Sequence, residues 1–373
     1  MQRRRFIQAS TVALGGLLLG GCDDAASLFG SGDGGDDDQR TWVMPEEGEP
    51  HKRTWMAFGA SEQIWGAALL PEVRRNLATI AQTIAQFEPV SMLVRPDELD
   101  LARELIGPYP VELLAAPLDD LWMRDTGPVF VKGNGTRAGI DFNFNGWGEK
   151  QDYDHDARVA NFVSARAGVE SLPTDLILEG GGIEVDGEGT AIITESCVLN
   201  NNRNPGWSKA DVEAELGALL GLEKIIWLPG IAGKDITDGH TDFYARFARQ
   251  GVVVAGFDPD PESFDHDVTA RHLDILETAT DTQGRSLEVV VLEAPSTVRP
   301  EFESDDFAAG YINFYVCNGA VIAPEFGDPH ADGAARQELE RLFPDRRVVQ
   351  IDIDAIAAGG GGIHCTTQQE PAE

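Results

Sequence analysis

Lysine is nearly missing from this chain, with six positions in 373 residues, against 63 acidic side chains and a formal net charge of -34. Affinity for nucleic acid comes from neutralising phosphates, so this composition excludes DNA or RNA as a partner. The imbalance has two readings, steering of a cationic ligand or adaptation of the surface to a saline habitat. Cysteine is also scarce, at four. Neither a CxxC nor an HxxxH spacing occurs, so no zinc site is expected from sequence. The apolar stretch from Ala9 to Gly21 falls short of the roughly 20 residues that a membrane-spanning helix needs.

That stretch reads instead as part of a secretion signal. Arg3-Arg4-Arg5-Phe6-Ile7 resembles the twin-arginine export signal, and the "LLGGC" that ends at Cys22 resembles a lipobox. Residues 1–21 are then a cleaved leader, and Cys22 is the lipid attachment site of a membrane-anchored lipoprotein on the outer face of the cytoplasmic membrane. Residues 22–40, rich in Gly, Ser and Asp, cannot bury enough apolar surface to fold and are expected to form an acidic tether. The folded domain is expected over 41–373.

Within that domain one pattern repeats. Paired strand-like runs joined by turn residues occur at "GPVFVKGNGTRAGIDFNFN", "GGIEVDGEGTAIITE", "DFYARFARQGVVVAGF" and "INFYVCNGAVIAPEFG". Helical spacing follows each, as in "DARVANFVSARAG" and "KADVEAELGALLG", and then another strand such as "KIIWLPG" or "LEVVVLEAP". The unit returns about every 65 residues, which implies radial or solenoid repetition. Four units are visible. A fifth closes if the C-terminal "GIHCTTQQ" pairs with the N-terminal "RTWMAFG", which would make a ring without free sheet edges. The expected fold class is α/β, a five-bladed pseudo-symmetric α/β propeller.

Unusual polar residues stand at matching phases of the repeat. They are Trp122 and Asp125 in "LWMRDTGPVFV", Glu179 in "LILEGGGIEV", His240 and Asp242 in "DITDGHTDFYARF", Asn313 in "YINFYV" and Cys365 in "GGGGIHC". Cys197 and Cys317 lie in apolar, strand-like runs and read as buried inert thiols, whereas Cys365 follows four glycines. A thiol with an imidazole suggests covalent nucleophilic catalysis. Several carboxylates beside it are wrong for ordinary acyl transfer, where the developing oxyanion needs donors. They suit a guanidinium, whose planar fork of N–H groups matches carboxylates.

The motifs "WMRDTGP", "FNFNGWGEKQDYDHD", "LEGGGIEVDGEGTAIITESCVLNNNRNP", "DGHTD", "YINFYVCNGAV" and "GGGGIHCTTQQ" together resemble the agmatine deiminase and bacterial-type peptidylarginine deiminase family, in order, over residues 44–371. The resemblance implies the pentein fold, no cofactor, Cys365 as nucleophile and His240 as general acid and base. It implies Asp125 and Asp242 as the guanidinium clamp, and Glu179 as a partner of His240 or of the substrate. Trp122 and Asn313 would line the pocket, and Gly361 and Gly362 would let the backbone pass beneath the substrate. The chain departs from the agmatine enzymes at Gly362, where they commonly carry Asn, and at Phe243-Tyr244 after "DGHTD".

The implied reaction is hydrolytic deimination, of agmatine to N-carbamoylputrescine and ammonia or of peptidyl or free arginine to citrulline. An amidinotransferase and a catalytically silent polyamine-binding lipoprotein are the other readings. The implied partners are a cationic guanidino small molecule or an arginyl peptide, and a membrane through Cys22. Replacing Cys22 with Ala is expected to move the protein out of the membrane fraction. Replacing Arg3 and Arg4 with Lys is expected to hold the precursor in the cytoplasm, which cell fractionation reads directly.

Overall fold

β-Branched and aromatic runs between glycine turns form sixteen strands among the described residues, 41–302 and 307–373, of a computed structural model. The leader, the tether and Cys22 lie outside the described residues. The first sheet holds β1 (His51–Phe58), β2 (Val90–Val94) and β3 (Val111–Ala115). Four three-stranded sheets follow: β4 (Val129–Gly133), β5 (Thr136–Ile140) and β6 (Glu170–Leu172); β7 (Ile183–Val185), β8 (Thr190–Thr194) and β9 (Lys224–Leu228); β10 (Ala245–Arg249), β11 (Val252–Phe257) and β12 (Glu288–Glu293); β13 (Tyr315–Cys317), β14 (Ala320–Glu325) and β15 (Arg347–Asp352). The last strand, β16 (Thr367–Pro371), returns to the first sheet, whose order is β16-β1-β2-β3.

Each three-stranded sheet begins with an antiparallel hairpin and gains its third strand in parallel. The hairpin turns use residues that tolerate positive φ; Asn134 (50°) and Gly135 (74°) join β4 to β5 in this way. A parallel partner requires a crossover, and helices supply it: Val159–Ala167, Lys209–Leu220, His266–Thr278 and Pro329–Leu342. Their starts are written locally. Ser208 and Asp211 form a reciprocal capping box, and Asp328 accepts from the backbone N–H groups of His330 and Ala331. The first sheet crosses over through Glu62–Ile84, which breaks at Gly66, where φ is 69° and ψ 158°.

The expected ring closure is present. β1 runs antiparallel to β16, with Thr54 opposite Gln369 and Trp55 opposite Gln368, and the five sheets form a pseudo-symmetric five-bladed α/β propeller. Apolar faces of the blades pack on the crossover helices; in the first, Met56, Val90, Met92 and Val94 share one core with Leu77 and Ile80. One sequence expectation is corrected: Cys197 sits in a short helical turn, Glu195–Val198, not in a strand, because β8 ends at Thr194.

At the axis the ring holds charge rather than hydrocarbon. Glu47, buried, accepts from Arg124 Nη2 (3.1 Å), Arg246 Nη2 (2.9 Å) and the Val316 N–H (2.8 Å), and lies 2.8 Å from His364 Nε2. Arg246 also donates to Glu184 (2.8 Å). Burial alone would raise the Glu47 carboxyl, but Arg246, His364 and Arg124 outweigh it and hold the group well below the ordinary carboxylate range. Its contribution to stability is therefore present above that range and is lost as pH falls through the folded value. Glu47→Gln keeps the shape and removes the charge that Arg124 and Arg246 face. Breaking a buried network in this way costs about 3–5 kcal/mol, so a fall of roughly 5–15 °C in the thermal midpoint at pH 7 is expected by circular dichroism.

Candidate active site

The same local device recurs at the inner ends of four blades. A single helical turn immediately precedes the innermost strand in each: Met123–Thr126 before β4, Gly180–Gly182 before β7, Thr241–Phe243 before β10 and His364–Thr366 before β16. These turns carry or abut Asp125, Glu179, His240, Asp242 and Cys365. In the fifth, Asn313 stands two residues before β13. Sequence repetition thus becomes spatial convergence, because each turn aims its polar side chain at the ring axis.

The contacts tie these side chains together. The Asn313 side-chain amide donates to Cys365 Sγ (3.3 Å) and to Asp242 Oδ2 (3.2 Å), and its Oδ1 accepts from the Cys365 N–H (3.3 Å). Cys365 Sγ lies 3.5 Å from Asp242 Oδ2. His240 directs Nε2 at Glu179 Oε2 (3.2 Å), and its Nδ1 lies 3.7 Å from Asp125 Oδ1, where it has no hydrogen-bond partner. Asp125 accepts from Trp147 Nε1 (2.9 Å) and from the Gly181 N–H (3.2 Å). Asp242 Oδ2 is also 2.8 Å from His364 Nδ1, while its Oδ1 has no partner among the described residues. The acceptor Asp242 Oδ1 and the ring nitrogen Nδ1 of His240 are therefore the uncommitted polar atoms of the cluster.

The glycine run has a steric reason at each place. A Cβ on Gly359 would lie 2.2 Å from the Trp65 ring, one on Gly361 2.1 Å from the Trp122 ring, and one on Gly362 2.4 Å from Asn313 Oδ1. Gly360 has φ of 86°. Trp122 is held by its Nε1 donating to Asp120 (3.0 Å), and Asp120 also accepts from Trp65 (2.8 Å). The segment thus slides between two indoles and the Asn313 amide before it delivers Cys365. Gly181 is equally constrained: a Cβ there would enter the space between His240 Nδ1 (2.6 Å), Asp125 Oδ1 (2.9 Å) and Asp242 Oδ2 (3.3 Å).

The electrostatics separate the resting state from a reactive one. Cys365, only 4% exposed, has its thiol pushed well above the ordinary value, first by burial and then by the charges of Asp242 and Asp125. Burial lowers His240, but Asp125, Cys197 and Glu179 outweigh it and hold the imidazole well above its usual value. Burial raises the Asp125 carboxyl to about 6, with Glu179 and Asp242 adding to the rise and His240 opposing it. A neutral thiol beside a protonated imidazole is the resting arrangement. A cation bound between the two aspartates would favour the thiolate.

With this geometry in hand, comparison with known proteins is informative. Residues 43–371 match the Porphyromonas-type peptidyl-arginine deiminase family. The chain belongs to that family. It is 46% identical over 339 residues, 89% of this chain and 99% of the relative, to a Streptomyces coelicolor protein named "Putative agmatine deiminase". It is 37% identical over 354 residues, 88% of this chain and 95% of the relative, to the agmatine deiminase of Pseudomonas aeruginosa LESB58. The structure of the Enterococcus faecalis agmatine deiminase superposes with a TM-score of 0.83 at 32% identity, covering 89% of this chain and 96% of that one.

For this deiminase-family chain the ring brings together Cys365, His240, Asp125, Asp242, Glu179 and Asn313, with Trp122 and Gly361 in contact beside them and Gly362 under Asn313. Glu179 Oε2 faces the imidazole Nε2 at 3.2 Å. Several participants were not singled out from sequence. Trp147 holds Asp125 from a left-handed backbone (φ 56°) within "NGWGE". His364 bridges Asp242 to Glu47. Arg203 donates to Glu179 Oε1 (2.9 Å) and Asp238 Oδ2 (2.6 Å). The left-handed turn residues around Trp147 were the available signal; nothing marked Glu47.

Asp125→Asn and Asp242→Asn each remove a charge facing the uncommitted centre and introduce a donor. Losing a charged hydrogen bond costs about 1.5–3 kcal/mol, so kcat/KM is expected to fall at least roughly ten- to a hundredfold in either variant. The exposed Asp97→Asn is expected to leave it unchanged. Equal, small effects in all three would remove the guanidinium clamp.

Proposed function

We propose that the chain hydrolyses the guanidinium of agmatine to N-carbamoylputrescine and ammonia. The observation that carries this reading is a thiol set against two carboxylates and an imidazole with a free nitrogen. Asp125 and Asp242 hold the guanidinium, and its charge favours ionisation of Cys365, whose proton passes to solvent and is replaced on sulfur by the hydroxyl proton of the second adduct when the product leaves. The Cys365 thiolate attacks the central carbon and forms a tetrahedral adduct. As the adduct collapses, His240 gives a proton from Nδ1 to the departing nitrogen, which leaves as ammonia, and an amidino-thioether remains. His240, now neutral, takes a proton from water as it attacks the same carbon. Breaking of the C–S bond releases the ureido product and regenerates the thiol. Glu179, itself fixed by Arg203, keeps the imidazole oriented through Nε2.

The choice of an amine-tailed substrate over arginine rests on where the cations are. A substrate carboxylate needs a cationic partner. Lys150, a sequence candidate for that role, donates to Asp238 Oδ2 (2.7 Å) and to the Ile236 carbonyl (2.9 Å). The other candidate, Arg158, is exposed. The buried arginines Arg124, Arg137, Arg203 and Arg246 are all paired with internal carboxylates. Export and lipid anchoring at Cys22 place this activity outside the cytoplasm in the same proposal, on the leader motifs alone.

The test is to incubate the purified protein with agmatine, free arginine and an arginyl peptide, and to measure ammonia and ureido product together. Turnover is expected with agmatine at a kcat/KM at least about tenfold above either arginine substrate, since a missing charged contact costs about 1.5 kcal/mol or more. Cys365→Ser is expected to be inactive with all three. Activity retained in that variant would remove the covalent route, and a preference for the peptide would reverse the substrate assignment.

A further inference from the structure

Behind His240, on the side away from its free Nδ1, lies a second buried thiol that the reaction does not use. Cys197 Sγ is 3.5 Å from Glu179 Oε2, and His240 Nε2 is 3.2 Å from the same oxygen. The three ligand atoms all lie within 4.8 Å of one another, and the three residues are 0–1% exposed. A tetrahedral zinc with bonds of about 2.0 Å to nitrogen and oxygen and about 2.3 Å to sulfur sets N–O and S–O edges of about 3.3 and 3.5 Å. The protein already holds both edges at nearly these lengths. Glu179 Oε1 is occupied by Arg203, which fixes the carboxylate and leaves Oε2 as its free ligand atom.

We infer that Glu179, Cys197 and His240 form an inhibitory site for a thiophilic divalent cation such as zinc. Charge balance supports it. A bound zinc would sit among the Cys197 thiolate, a neutral His240 imidazole on Nε2 and the Glu179 carboxylate, and these ligand charges cancel its own. The occupied site is therefore neutral, a condition that isolated buried ions fail. The consequence for catalysis is specific. With metal on Nε2, the Nδ1 proton belongs to a neutral imidazole, and giving it to the departing nitrogen would leave an imidazolate, so the ring no longer serves as the acid that expels ammonia. Turnover stops although Cys365 is untouched. The inhibition rests on the acid–base role assigned to His240 under the proposed function; the binding does not.

The experiment is calorimetric titration of the chelator-treated full-length protein with zinc chloride, in excess magnesium to occupy surface carboxylates. One high-affinity site is expected, tightening as pH rises because metal binding displaces protons from its ligands. Cys197→Ala and Cys197→Ser are expected to weaken it at least about 100-fold, whereas the double variant Cys22→Ser/Cys365→Ser retains it. Cobalt(II) added to that double variant is expected to give a thiolate charge-transfer band, which further replacement of Cys197 by Ser abolishes. This optical arm does not depend on how well Cys197→Ala folds. Turnover of the unaltered protein and of the Cys197 variants is compared with and without zinc, each against its own chelator-treated rate. Affinity unchanged without Cys197, or lost without Cys365, overturns the site. Tight binding at Cys197 with undiminished turnover upholds the site and overturns both the inhibition and the acid role of His240.

Discussion

Everything in this ring depends on one buried carboxylate. Glu47 reaches Arg124 at the start of the second blade, Arg246 in the fourth, Val316 in the fifth and His364 beside the closing strand of the first. Arg246 extends the network to Glu184 in the third. Five blades each bury their own apolar face and meet at the axis through polar ends, and Glu47 pairs more of these ends than any other side chain described above. An ion pair in such a place is a poor source of net stability compared with hydrocarbon, but its geometry admits one arrangement of the partners. The axis thus acts as a register mark for the blades.

The active site sits on that mark. His364 spans Asp242 and Glu47, with its Nδ1 2.8 Å from the one and its Nε2 2.8 Å from the other. One oxygen of Asp242 is thereby fixed, and its other oxygen is left for a ligand. On the far side, Arg203 fixes Glu179, and Glu179 fixes His240. The reacting groups are held by charged partners that are themselves buried, so the low dielectric that raises the Cys365 thiol also stiffens its surroundings. Preorganisation of this kind lets a cationic substrate change the protonation state of the site without requiring its side chains to be rebuilt.

The repeat, the ring closure and the inner-end residues were legible in the sequence because each rests on local chemistry. Turn residues mark the hairpins, spacing marks the helices, and a lone amide or acid in an apolar run marks an inner end. Glu47 was not legible. In "MPEEGEP" it stands among other acidic and turn-forming neighbours and looks like any solvated acid, and only the closed ring reveals what surrounds it. Arg203, in "NNNRNP", and Trp147, in "NGWGE", lie on loops whose paths are set by long-range packing. Cys197 read as an inert core thiol in a strand. Its true place, one turn past the end of β8 and against Glu179, depends on where that strand stops, and strand ends are weakly encoded.

The strand that closes the ring is also the one that follows the nucleophile. Trp55 and Glu370, hydrogen-bonded across this seam, are 315 residues apart in the chain. Contacts of such long range form late and slowly. Until β16 docks, Cys365 has no place beside Asp242, and Asn313 has no thiol to meet. A partly folded chain therefore carries an imidazole and carboxylates but no assembled nucleophile. Completion of the architecture and the onset of chemistry are one event, and the molecule cannot attack guanidinium groups while it is still open.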